Sequence, residues 1–137
     1  MMKLFEEDWV REATSRIASD AVFQKKAKGF DVVYQYVVKW EGNEYRFAIK
    51  YPEAQQYWMG DSPTKPDFVM TTSYKLMHDI LTGKTNAVLA LTTRKLFVSG
   101  SLPMLLRYTG AINRAVELFQ SIKAEAEAPY TAIPGTK

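Results

Sequence analysis

Between Asp31 and Lys50 the chain alternates. In DVVYQYVVKW the residues Val32, Tyr34, Tyr36, Val38 and Trp40 recur at every second position, EGNE (Glu41 to Glu44) supplies turn residues, and Tyr45, Phe47 and Ile49 then alternate with Arg46, Ala48 and Lys50. A period of two places each set on one face of a strand, and two such runs joined by a short turn make a β-hairpin. The rest of the chain is therefore read for elements that could pair with this hairpin and cover its apolar face.

From Lys3 to Lys28 the residues Phe5, Trp9, Ala13, Ile17 and Ala21 recur every four positions, close to one helical face, with Glu12 and Arg16 able to pair outside and lysines before Gly29 where a helix ends. One amphipathic helix is expected there. QQYWMG and DFVMTT read as strands around a loop bounded by Pro63 and Pro66. Thr72 or Ser73 can cap a helix carrying Leu76, Met77, Ile80 and Leu81 that Gly83 closes. Asn86 to Thr92 suits a short buried helix or a strand, KLFVSG a strand, and the segment after Pro103 a short helical piece. From Ala111 the residues Ile112, Ala115, Val116, Phe119, Ile122 and Ala126 mark one face of a helix about 24 Å long. Without a period and with two prolines, APYTAIPGTK is either loose or a lid.

These elements fit one domain over residues 1–137, with an N-terminal helix at 1–28, a core at 31–126 and a flexible tail or lid at 128–137. Hydrophobic residues at 47% and charged residues at 24% suit a folded globular domain. No run approaches the roughly 18 apolar residues of a membrane span, and the first residues mix acids into what would be a signal peptide's apolar region, so a cytoplasmic protein is expected. With no cysteine, disulfides, thiol nucleophiles and cysteine-ligated metals are excluded. The net charge of +3 comes from 18 basic and 15 acidic residues interleaved along the chain, which argues against nucleic acid. Lys25-Lys26-Lys28 and Arg94-Lys95 suit solvated helix ends or turns, or a weak contact with anionic membrane.

Candidate chemistry is sparse. His78, the only histidine, precedes Asp79, but helix neighbours point about 100° apart, so the two do not form a dyad and His78 is expected exposed or at the core rim. No serine stands in a Gly-x-Ser-x-Gly elbow, and a zinc site would have to rest on carboxylates. LTGKT carries the end of a phosphate loop, yet His78 stands where its upstream glycine belongs, and Gly83 is better read as a helix cap. The aromatic residues, Trp9, Trp40 and Trp58 included, fall mostly on buried phases and are read as core. What remains is an excess of apolar surface with six methionines, in which a lipid-sized cavity and a packed core look alike.

Residues 31 to 122 resemble the sterol carrier protein type two family of small lipid-binding domains. The element order matches, PDFVMTTSYKLMHDILTGK reads as its strand, cap, helix and glycine, and ALTTRKLFVSGS matches a segment in which Ala90, Lys95, Leu96, Val98 and Gly100 fit. Arg94 stands where that family usually has glycine, and Ser101 where it usually has Asn or Asp, so the turn and cap around this strand are expected to differ. The resemblance implies an α/β (α+β) fold with a five-stranded, mainly antiparallel sheet covered by helices around an apolar tunnel for acyl chains, sterols or related lipids. It implies no catalysis, cofactor or metal.

By phase and by family layout, the expected lining is Phe47, Ile49, Trp58, Phe68, Leu76, Ile80, Val88, Leu91, Phe97, Leu105, Ile112, Val116 and Phe119. Peroxisomal members end in a Ser-Lys-Leu type signal, which Gly-Thr-Lys is not. Two alternatives stay open: an accessory protein presenting an isoprenoid or polyketide intermediate to a partner enzyme, and a small enzyme using Asp67, Asp79 or tyrosines, which would need a polar cluster in the cavity.

Overall fold

The computed structural model describes residues 2–135; of the C-terminal Gly-Thr-Lys, Thr136 and Lys137 lie outside the described residues. Strand β1 (Val32–Trp40) turns through Glu41 and Gly42 into β2 (Asn43–Tyr51), and the antiparallel register pairs Val38 with Tyr45, Tyr36 with Phe47 and Tyr34 with Ile49. Both turn residues have positive φ, 45° and 82°, as a two-residue hairpin turn matched to strand twist requires. Strand β3 (Tyr57–Met59) pairs with β2, β4 (Phe68–Ser73) lies parallel to β1, and β5 (Phe97–Ser99) pairs antiparallel with β4. The sheet order is β3-β2-β1-β4-β5. The fold is α+β with a five-stranded sheet that is mainly antiparallel, as the resemblance implies, and mixed through the one parallel pair β1-β4.

Tyr34, Tyr36, Phe47, Ile49, Phe68 and Met70 share one sheet face by this register, and the helices lie over it. On the other face the buried Gln35 side chain donates to the carbonyls of Phe47 (3.1 Å) and Gly60 (2.9 Å) and accepts from the Ser62 N–H (3.0 Å), which ties the segment after β3 across the sheet.

The N-terminal stretch is two helices rather than one. Helix α1 (Glu7–Ser19) buries Trp9, Val10, Ala13 and Ile17, and α2 (Ala21–Lys26) follows at once. Asp20 breaks the run because its carboxylate accepts the Phe23 N–H at 2.8 Å, a helix-starting bond that apolar spacing does not reveal. The same carboxylate takes two bonds from Arg114, 2.9 and 2.7 Å, and the guanidinium holds its pKa below the ordinary carboxylate value.

Helices α3 (Tyr74–Leu81) and α4 (Ala87–Thr92) carry side-chain caps, from Ser73 to the Leu76 N–H at 3.1 Å and from Asn86 to the Leu89 N–H at 3.0 Å. Ser101, the residue expected to change the cap after β5, accepts the Met104 N–H and starts α5 (Leu102–Arg107) as Asn or Asp would.

Arg94 keeps the backbone that glycine would adopt. Its φ is +62°, its N–H bonds the Leu91 carbonyl at 3.2 Å, and the Lys95 N–H bonds the Ala90 carbonyl at 2.9 Å, which together form a Schellman end to α4. A left-handed conformation costs a non-glycine residue about 1–2 kcal/mol, and glycine's greater chain entropy offsets part of that relief. Arg94→Gly is therefore expected to raise stability by about 0.5–1 kcal/mol in urea unfolding. A loss of stability would show that the arginine side chain contributes more than its backbone costs.

Helix α6 (Thr109–Gln120) stops earlier than its apolar spacing predicts and is about 18 Å long at 1.5 Å per residue. Arg16 donates to the Ser121 carbonyl and hydroxyl at 2.9 and 2.7 Å, satisfying the helix end. Ile122 and Ala124 are still buried, but beyond the helix: the Ile122 N–H bonds the Phe119 carbonyl at 3.2 Å in the bend, and then Ala124 bridges Ile133 and Glu125 bridges Lys3.

Candidate functional site

The sheet face and the helices enclose space between them. A cavity of about 70 Å³ lies under α2 to α6, with Tyr34, Tyr36, Tyr51 and Met70 on the sheet side. Met77, Ile80 and Leu81 come from α3, Ala87 and Leu91 from α4, Leu96 from the turn after it, and Leu105 from α5. Helix α6 supplies Ala111, Ile112, Ala115, Val116 and Phe119, and Phe23 and Phe30 complete the wall. Small residues at 111 and 115 let that helix pass close to the space without filling it.

Six of the thirteen expected lining residues border the cavity: Ile80, Leu91, Leu105, Ile112, Val116 and Phe119. Phe47, Ile49 and Phe68 are on the right sheet face but belong to the packed core; Phe47 stacks on Tyr36 at 4.6 Å and Phe68 lies 5.8 Å from the Tyr34 ring. Leu76 and Val88 are half-buried and outside the wall, because Met77 and the Ala87–Leu91 pair take the inward positions of their helices. Trp58 pairs with Ala48 and Phe97 with Thr71, both on the opposite sheet face, and Phe97 is 69% exposed. A shift of one residue along a strand changes the face, and Leu96 is the residue that reaches the cavity.

The sheet-side tyrosines are the polar part of the wall; the alternation places Tyr34 and Tyr36 on one face of the hairpin, and the sequence reading did not single out Tyr51. The Tyr36 and Tyr51 hydroxyls are 2.5 Å apart, and the Tyr34 ring lies 4.7 Å from that of Tyr36. Burial pushes all three phenols above their ordinary pKa, so they are neutral at physiological pH. Their shared phase with Phe47 and Ile49 was visible in the alternation; that they front a void was not.

The other candidate polar groups are elsewhere. Asp67 accepts the Val33 N–H at 2.8 Å on the surface, and Asp79 pairs with Lys75 at 2.9 Å. Among the described residues no group of three or more His, Asp or Glu could hold a metal.

His78 is neither exposed nor at the rim, and this corrects the sequence expectation. It is 2% exposed, its ring lies 5.0 Å from that of Tyr130, and its Nε2 donates to the Thr131 carbonyl at 2.7 Å while Nδ1 has no partner among the described residues. Burial follows because residues 122–133 run back over α3, where Ile133 is also buried. None of the described tail residues 128–135 lines the cavity. His78→Ala is expected to cost about 1–2 kcal/mol of stability through the lost hydrogen bond and ring packing. Ligand affinity should stay within about threefold, because the residue is not in the wall. Calorimetric melting and a binding titration on the same variant check both halves.

A mixed sheet with one helix layer over an apolar cavity defines a class of small cavity-bearing α+β domains. The profile of the SCP-2 sterol transfer family matches residues 10–113, and the chain belongs to that family. A crystal structure of sterol carrier protein 2 has the same fold, with a TM-score of 0.79 at 16% identity over 88% of this chain and 99% of the other. A conserved hypothetical protein of Thermus thermophilus gives 0.75 at 17% identity over 96% of this chain and 95% of its own. The UbiJ-SCP2 ubiquinone synthesis protein gives 0.51 at 10% identity, over 75% and 84%. Among curated proteins no sequence matches the chain.

Proposed function

We propose that this protein binds and transfers a lipid-like molecule in the cavity, in the cytoplasm and without catalysis. The observation that carries this reading is the apolar wall built from five helices and three strands around a void, in a chain of the SCP-2 sterol transfer family. Ligand pockets typically span about 300–1,000 Å³, far more than the roughly 70 Å³ present. An acyl chain or sterol must therefore gain room by movement of the wall. Met70 and Met77 can change rotamer at low cost, and α4 and α5, six residues each, are too short to be rigid on their own. Each methylene moved from water into the cavity contributes roughly 0.8 kcal/mol, so a long chain can offset that rearrangement.

Titration of tryptophan fluorescence with fatty acid and sterol probes, beside native mass spectrometry and organic extraction of the purified protein, tests the proposal. Saturable binding at one ligand per chain is expected. No saturable binding of any lipid class would overturn it.

The fold likeness to the ubiquinone synthesis protein favours a second reading, in which the domain presents an isoprenoid or polyketide intermediate to a partner enzyme. An enzyme co-purifying at fixed stoichiometry would discriminate it from free transfer. Weak contact with anionic membrane is part of either reading, supported by exposed Lys25 and Lys26 beside the exposed Val22 on α2. No helix among the described residues is long and apolar enough to cross a membrane.

A further inference from the structure

We infer that Tyr34, Tyr36 and Tyr51 form a head-group site that selects ligands ending in a neutral oxygen, a hydroxyl or a carbonyl, over ligands ending in an ionised carboxylate. The inference rests on the proposed lipid carriage and specifies which lipids the cavity takes.

A phenol has one donor and two acceptor lone pairs. The 2.5 Å contact between Tyr36 and Tyr51 uses one donor and leaves the other hydroxyl's proton free, and the Tyr34 hydroxyl makes no hydrogen bond among the described residues. Tyr34 is half-buried and lines the cavity. Two unused phenol protons therefore belong to the wall of a space whose other side chains are Phe, Met, Leu, Ile, Val and Ala.

Such donors are costly to leave unpaired in apolar surroundings and gain most from an acceptor brought in by the ligand. Among the described residues no Lys, Arg or His lines the cavity. An anion entering it would lose its hydration without meeting a counter-charge, which neutral donors only partly offset. A hydroxyl or carbonyl loses far less on entry and can accept from both donors, while its alkyl or ring body packs against α4 to α6.

The test measures cetyl alcohol, palmitic acid and hexadecane, delivered from cyclodextrin at neutral pH, against the unmodified protein and against Tyr34→Phe and Tyr51→Phe. The alcohol should bind about tenfold or more tighter than either the acid or the alkane. Tyr34→Phe should weaken the alcohol about five- to tenfold and leave hexadecane unchanged at an unaltered melting midpoint, whereas Tyr51→Phe, which breaks the bond to Tyr36 but frees that hydroxyl's proton, should lower the midpoint and weaken the alcohol less. Alcohol and alkane binding with equal affinity, or weakened equally by the Phe variants, would overturn the head-group site and leave lipid carriage standing. The acid binding tighter than the alcohol would overturn it as well. Binding of none of the three would overturn carriage together with the site.

Discussion

Gly100→Ala is expected to destabilise the protein by about 3–5 kcal/mol, the sum of backbone strain and overpacking. Gly100 has φ +122°, a conformation that side chains rarely adopt. A Cβ there would also stand 2.4 Å from Cδ1 of Phe68 and 2.6 Å from the carbonyl oxygen of Asp67. Neither neighbour can yield easily. The Phe68 ring is held between Tyr34 at 5.8 Å and Phe30 at 6.1 Å, and Asp67 enters β4 with its N–H bonded to the Val33 carbonyl at 2.9 Å. The methyl group can be accommodated only if β5 moves off β4, breaking the register of Val69 with Ser99. Urea unfolding gives the magnitude, and hydrogen exchange at Val98 and Val69 should locate the loss at the sheet edge. A cost below about 1 kcal/mol would show that β5 yields freely and that the glycine is not required.

The hairpin was legible because nine paired residues on each strand repeat one pattern, and its turn and face assignments follow from that repetition. The three-residue β5 offers no such repetition, so Phe97 and Leu96 could not be told apart by phase, and the exposed residue was assigned inward. Helix ends were hidden where polar chemistry overrides apolar spacing. Asp20 caps α2 in the middle of a continuous four-residue pattern, and Ile122 keeps the helical spacing of α6 although it lies in the bend after the helix. The parallel pairing of β1 with β4 left no local signal, since alternation specifies a face and not a neighbour. His78 was misplaced because its cover comes from the tail, more than fifty residues along the chain. The site had the same limitation: a side chain against a void and one against another side chain occupy the same phase. Phe47 and Tyr36 illustrate this, stacked ring on ring with only Tyr36 on the cavity.

Phe119 and Phe47 turn that ambiguity into a measurable difference. Both rings are buried and both pack near Trp9, Phe119 at 5.4 Å and Phe47 at 6.0 Å. Phe119 also borders the cavity, whereas Phe47 is enclosed by Phe5, Trp9 and Tyr36. Truncating a fully packed Phe costs about 3–5 kcal/mol because the lost contacts leave a new hole. Phe119→Ala instead extends a space that already exists and removes a ring with fewer partners on that side. Its expected cost is about 2–3 kcal/mol, against about 3–5 kcal/mol for Phe47→Ala. The functional consequences should separate further. The enlarged cavity admits more apolar bulk, and each extra methylene buried contributes roughly 0.8 kcal/mol, about fourfold in affinity. Phe119→Ala should therefore shift preference from single-chain ligands toward ring-bearing ones by about tenfold or more, while Phe47→Ala leaves the preference unchanged. Urea unfolding of the ligand-free proteins, run beside competition between a sterol and a fatty alcohol, measures both effects. Equal costs for the two truncations with no change in preference would place Phe119 in the packed core and remove it from the ligand wall.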